Sequence, residues 1–532
     1  MNRIKMNVMK WSSLFFTAMA LTAITSCSSN DDDNNGGTDN KDPLVTYPAA
    51  TDANDKYGGL ASSDGILFQN GTQIGNGEKE FRFTGKQTIK KGTYIMKGWI
   101  YVRPGAELTI EAGTVIKGDK GSKASLIIEP GAKIYAEGTA SSPIVFTSAQ
   151  PAGSRRPGDW GGLIICGNGL NNNTGGQQIE GGPKTVHGGS VENDNSGVLR
   201  YIRVEFAGSV FQTDKEINGI TFGSVGSGTT IDHLQVSYSN DDSYEWFGGS
   251  VNCKYLIAYK GWDDDFDTDN GFSGHVQFGL SVRDPRIADT SQSNSFESDN
   301  NANGDDITPY TKCIFSNMTL VGPMTQKNLT AGFKNDASYI TAGSMKPENE
   351  AALGKFQSSM HIRRNTKLNC YNSVALGWPI GLIIDGEKGN CRTYATNGDI
   401  KLQNVFFAGM AVTGTDYNKK YEDEFGTWAL VDGKNKISYD DPTKPSFSTT
   451  FFKGQTGCQW GLTEDGLKLT DPKNVGQNYC PGSGSPLLSA ANFSGLTSSS
   501  INTNVTYVGA FSGANDTWMD GWTNFDPENT AY

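Results

Sequence analysis

The chain has 532 residues, with 45 Lys+Arg against 57 Asp+Glu for a net charge of −12, and 66 glycines. An acidic balance argues against nucleic acid as a partner, because phosphate binding needs clustered Lys and Arg; it suits cations, neutral glycans or basic ligands. The length allows a large core, and the glycine, Asn, Ser and Asp content is that of a turn-rich all-β chain rather than a helical one.

Residues 1–26 read as a secretory signal. Arg3, Lys5 and Lys10 precede an apolar run over 11–24, followed by Thr25, Ser26 and Cys27. This order of charged, apolar and small residues is that of an export signal, and the run is short for a membrane span. Cys27 behind small residues resembles a bacterial lipobox, which implies cleavage before Cys27 and lipid on that residue. Loss of Arg3, Lys5 and Lys10 leaves 42 Lys+Arg against 57 acids, a net of −15. Residues 27–45 form a polar tether with no means of packing. Asp31, Asp32 and Asp33 within it resemble the surface-export signal of Bacteroidetes lipoproteins. The expected location is therefore the outer membrane, exposed at the cell surface, with the membrane as a partner through the lipid on Cys27.

Residues 46–92 are irregular and are expected to wrap the start of the body, which runs over 93–411. Pro104-Gly105-Ala106 recurs as Pro130-Gly131-Ala132, a shift of 26. Short β-forming runs bounded by Gly or Pro follow one another, among them 108–110, 133–135 and 143–147, without a sustained helical period. Further turns of the same kind lie at 199–204, 231–238, 254–260, 276–282, 313–321, 368–376 and 402–408. With Asp159-Trp160-Gly161-Gly162-Leu163-Ile164, this pattern resembles right-handed parallel β-helix proteins of the pectate-lyase-like type, and in particular a group of Bacteroidetes surface lipoproteins. The resemblance implies an all-β solenoid and specifies fold better than activity. After residue 412 the period is lost, and 412–532, with Trp518 and Trp522, are expected to cap the open end of the stack.

The densest signal is an internal repeat. The segment 239–249 (Ser-Asn-Asp-Asp-Ser-Tyr-Glu-Trp-Phe-Gly-Gly) superimposes on 261–271 (Gly-Trp-Asp-Asp-Asp-Phe-Asp-Thr-Asp-Asn-Gly) at a shift of 22. A third copy follows at 295–300, after a longer interval. Stacked coils place like residues about 4.8 Å apart. Tyr244, Phe266 and Phe296 then form an aromatic column. Leu234, Leu256 and Phe278 share one inward column, and Val236, Ala258 and Leu280 another. Beside them Asp241, Asp242, Glu245, Asp263, Asp264, Asp267, Asp269, Glu297 and Asp299 bring carboxylates together that repel unless a cation or protons intervene. Hard oxygens from adjacent coils suit Ca²⁺, although the spacing is not that of an EF-hand. The bland alternative is a solvated turn whose Asp and Asn side chains cap the backbone.

The expected function is a non-catalytic surface lipoprotein that holds a glycan or other nutrient-derived ligand on this Ca²⁺-binding face. Trp246, Trp262 and Tyr255 would be its stacking platforms, and an outer-membrane uptake receptor its neighbour. One alternative is a Ca²⁺-dependent polysaccharide lyase acting on uronates, with Arg283, Arg286 or Lys260 as the base; another is a structural adhesin. Gly274-His275 alone does not make a hydrolase, whose paired carboxylates and further motifs are absent. The four histidines give no nucleophile triad. The seven cysteines after Cys27 include no CxxC pair, which argues against zinc, and Cys458 and Cys480 could pair across their loop.

Overall fold

The computed structural model describes residues 71–77, 81–212, 215–289, 291–331, 356–415, 445–472 and 479–532. Cys27, the signal and the tether lie outside the described residues. No helix among the described residues is long and apolar enough to cross a membrane.

Short β-forming runs separated by Gly, Asn and Asp turns cannot bury a face alone, and here they stack as coils. The strands form a 17-stranded and an 11-stranded sheet, with parallel pairing between successive coils. Both sheets face one continuous apolar core that extends from Ile74 to Cys458. The spacings read from sequence are the registers observed. Glu107 pairs with Lys133, at the interval of the Pro-Gly-Ala repeat. Leu234 lies on Leu256, and Tyr244 on Phe266, both at the interval of the acidic repeat. Phe266 lies on Phe296 across the longer interval to the third copy.

Three expectations are corrected. First, coiling begins before residue 93: Gln73–Ile74 already pairs with Thr93–Met96, and Phe81–Phe83 with Trp99–Val102. Those early strands are too short to show a period. Rungs also continue past 411, at Val412–Thr415 and Gln459–Leu462. Second, the shift of 22 does not persist into His275–Val282. There Leu256 pairs with Gly279 and Ala258 with Ser281, a shift of 23. Phe278 therefore falls under Tyr255 instead of entering the inward column.

That position marks a corner in the long sheet. Tyr201, His233, Tyr255, Phe278 and Asn317 all adopt left-handed backbone, with φ between +50° and +64°. Such φ values are uncommon for non-glycine residues, and their repetition on successive coils bends the sheet at one line. The rings at this corner stack, with centroids 4.4 Å apart for Tyr201–His233 and for His233–Tyr255, and 5.0 Å for Tyr255–Phe278.

Third, only part of the C-terminal region sits on the end of the stack. Residues 479–532 run back along the outside of the long sheet, held by carboxamide side chains that read the strap's backbone. Gln235 accepts from Asn524 N at 2.9 Å and donates to its carbonyl at 2.7 Å. Gln277 grips Asn502 in the same way, at 2.7 and 3.0 Å. Asn317 and Gln403 donate to carbonyls of Tyr507 and Asn492. Trp522 and Phe511 bury themselves against the sheet. The end itself is covered by the helix Phe447–Gly454, capped by Ser446, whose Phe452 ring lies 4.1 Å from that of Phe407. Ser448 of this helix accepts a hydrogen bond from Ile384 N, supplying a partner that a next rung would have given. All seven cysteines from Cys166 to Cys480 are buried free thiols, so Cys458 and Cys480 do not pair.

Candidate functional site

The repeat brings the predicted carboxylates into one column. Glu245 lies on Asp267, Asp267 on Glu297, and Glu297 on His361. The preceding turns carry Asp241, Asp242, Asp263 and Asp264, with Asp264 N donating to Asp242 Oδ1 at 2.8 Å. Two triads result, Asp241–Asp242–Asp263 and Asp242–Glu245–Asp267, in each of which one carboxylate oxygen per residue lies within 4.8 Å of the others. Oxygens bound to one Ca²⁺ at about 2.4 Å can be no farther apart than about 4.8 Å, so either triad fits a hard cation. Asp264, Asp269, Glu297 and Asp299, also expected as ligands, fall outside both triads.

The site is not the open face expected. Asp241, Asp242, Glu245, Asp263, Asp264 and Asp267 are each at most 6% exposed. Burial, reinforced by neighbouring carboxylates, pushes Asp241, Asp242, Glu245, Asp264 and Asp267 well above the usual carboxylate range. Burial and then Asp299 raise Asp269 to about 7. Asp241 Oδ1, Asp264 Oδ2 and Asp267 Oδ1 are buried without a hydrogen-bond partner among the described residues. Such atoms are costly unless a proton or cation meets them.

One coil further on the chemistry reverses. Arg363 donates to Asp299 Oδ1 at 2.9 Å and pairs with Glu297, and Arg364 reaches Asp299 Oδ2 at 3.1 Å. His361 bridges Glu297 Oε2 at 3.2 Å and Asp385 Oδ2 at 3.1 Å. Burial opposes charge on His361, but these two carboxylates raise it to about 9, so it is an imidazolium at neutral pH. Burial likewise opposes ionisation of Asp385, but its bond to His361 and the charge of that ring outweigh it and lower its pKa. Sequence reasoning missed His361, Arg363, Arg364 and Asp385 because a long insertion separates their coil from the repeat. The available signal was the register that sets Met360-His361-Ile362 on Phe296-Glu297-Ser298.

The residues expected as a lyase base are each engaged. Arg283 is wholly buried, donating to Asp265 Oδ1 at 2.8 Å and to Asp263 O. Arg286 and Lys260 both pair with Asp284, at 2.7 and 3.4 Å. Burial opposes charge on Lys260, but Tyr238, Tyr259 and Asp284 outweigh it and raise its pKa. A base must shed its proton at working pH, and the surroundings of Lys260 hold it. The stacking platforms are corrected as well. Trp246 and Trp262 are wholly buried, Trp246 between Phe222 and Phe272 and Trp262 bonded through Nε1 to Asp289 at 3.0 Å. Tyr255 is half-buried, with Trp518 of the strap 5.5 Å away. Trp246 is covered because Phe272, from the turn after the next coil's strand Phe266–Asp269, packs against its ring.

Residues 82–444 match the family described as pectate-lyase-like β-helix domain. Among solved structures, the chain resembles the crystal structure of pectate lyase Pel9A at 12% identity and a TM-score of 0.37, covering 78% of this chain and 88% of that one. No curated protein matches. With its stacked parallel coils and a family match over most of its length, the chain belongs to the pectate-lyase-like β-helix domain family.

Proposed function

We propose that this protein is a lipid-anchored cell-surface β-helix protein that holds a glycan without cleaving it, with Ca²⁺ bound inside its acidic column. The observation that carries the cation is the pair of buried carboxylate triads with oxygens left without hydrogen-bond partners. Burial makes the ion a staple between coils, so the sugar contact lies elsewhere on the surface. Membership of a pectate-lyase-like family supports a polysaccharide-related role. Against cleavage stand the burial of the carboxylates, which keeps an ion there from a substrate uronate, and the pairing of Arg283, Arg286 and Lys260. Lipid on Cys27 would tether the protein to the outer membrane, beside an uptake receptor that takes the ligand onward.

The test is affinity electrophoresis of the mature protein in gels containing uronate-rich or neutral plant polysaccharides, with ultraviolet absorbance followed on the same mixtures. Retardation without an absorbance rise is the expected result. A rise from unsaturated ends would overturn the non-catalytic reading and assign a lyase; no retardation by any polymer would overturn glycan binding.

A further inference from the structure

The six buried carboxylates carry more charge than one divalent ion can meet. Asp241, Asp242, Glu245, Asp263, Asp264 and Asp267 lie within one turn of each other on adjacent coils. Among the described residues, no Lys, Arg or His forms an ion pair with Asp241, Asp242, Glu245, Asp264 or Asp267. The ligand atoms fall into two triads rather than one, and Asp242 is their only shared member. Among the described residues, each triad keeps its own oxygen without a hydrogen-bond partner, Asp241 Oδ1 in the first and Asp267 Oδ1 in the second.

A neutral side chain gives an independent sign. Asn218, 1% exposed, reaches the second triad: its Nδ2 contacts Glu245 Oε2, while its Oδ1 is buried without a hydrogen-bond partner among the described residues. Amide oxygen and nitrogen are interchangeable by rotation about the last bond. A turned Asn218 would present a carbonyl oxygen to the place where Glu245 offers its carboxylate, which is a hard-ion ligand pair.

We infer that the column holds two divalent cations bridged by the Asp242 carboxylate, one bound by Asp241 and Asp263 and the other by Glu245, Asp267 and the carbonyl of Asn218. The inference rests on the cation reading above and adds the second ion, the bridge and the amide ligand. Carboxylate-bridged ions sit about 3.5–4 Å apart, close to the spacing of the coils that supply the ligands. Two such ions would fasten the coils at 241–249 and 263–271 to each other and to the segment that carries Asn218.

The test is a count of bound Ca²⁺ in the metal-stripped and reloaded mature protein, by native mass spectrometry. Two ions per chain are expected, with Asp241→Asn and Glu245→Gln each retaining one, and Asp242→Asn weakening both at least tenfold. Asn218→Ala, which adds no charge, is expected to weaken one ion only. A single ion in the unmodified protein overturns the second site while leaving the one-ion reading standing; none overturns both. Two ions unaffected by Asp242→Asn overturn the bridge. Should the variants fail to fold, luminescence energy transfer between Eu³⁺ and Tb³⁺ in the unmodified protein decides. A separation near that of a bridged pair supports the inference, and one more than twice as large overturns it.

Discussion

The two ends of one carboxylate column show two ways to bury negative charge. At Glu297 and Asp299 the chain supplies its own cations, Arg363, Arg364 and His361, from the next coil. At Asp241, Asp242, Glu245 and Asp267, one or two coils earlier, the described residues bring carboxylates together with no ion-paired Lys, Arg or His. The backbone geometry is the same at both ends, since Glu245, Asp267, Glu297 and His361 are successive register partners. Side-chain identity alone sets the difference. An internal Arg fixes its compensation at folding, whereas an uncompensated end waits for protons or an external ion and so responds to solution conditions.

Breaking the compensated end should have the largest effect. Arg363→Met leaves Glu297 and Asp299 without their main partner and is expected to cost about 3–5 kcal/mol. Urea unfolding with and without Ca²⁺ checks it, and the loss should be the same in both. The uncompensated end should behave the opposite way. Ca²⁺ at about 100 times its dissociation constant should add about 2.7 kcal/mol over EDTA, and Asp263→Asn with Asp267→Asn should abolish that gain. Equal melting in Ca²⁺ and EDTA for the unmodified protein would sink the cation reading.

The same end predicts a pH dependence whose sign depends on the ion. Without Ca²⁺ these carboxylates have raised folded pKa values, so the folded state binds more protons than the unfolded chain. Stability should then fall as pH rises through the raised values, with Asp269 at about 7 marking the window. In saturating Ca²⁺ the protons are displaced, and melting should instead fall as the medium is acidified. Melting scans in EDTA and in Ca²⁺ across this window would show the two slopes, and parallel slopes would contradict the assignment.

The smallest effect separates core from contact. Trp262→Phe removes the bond to Asp289 and should cost about 1–3 kcal/mol in stability, yet leave glycan retardation unchanged. Loss of retardation in a folded variant would return Trp262 to a binding role.

Much of this was legible in the chain itself. The intervals from Glu107 to Lys133, from Tyr244 to Phe266 and from Phe266 to Phe296 are registers because stacking in a solenoid repeats side-chain types at the coil period. The column of Tyr244, Phe266 and Phe296 and the convergence of Asp241, Asp242, Glu245, Asp263 and Asp267 follow from that alone. The extra residue ahead of His275 was not legible, since only the hydrogen-bonded ladder shows where it is absorbed.

Burial, partnership across long insertions and the path of residues 479–532 were decided by the tertiary structure. A local pattern states which residues share a column but not what covers it, so Trp246, Trp262 and the acidic turns read as surface and proved to be interior. His361 and Arg363 meet Glu297 only because a coil from beyond the long insertion closes on it. The strap follows the sheet because Gln235, Gln277 and Asn317 bind main-chain groups. Every sequence offers those groups alike, so no residue in the strap could announce where it docks.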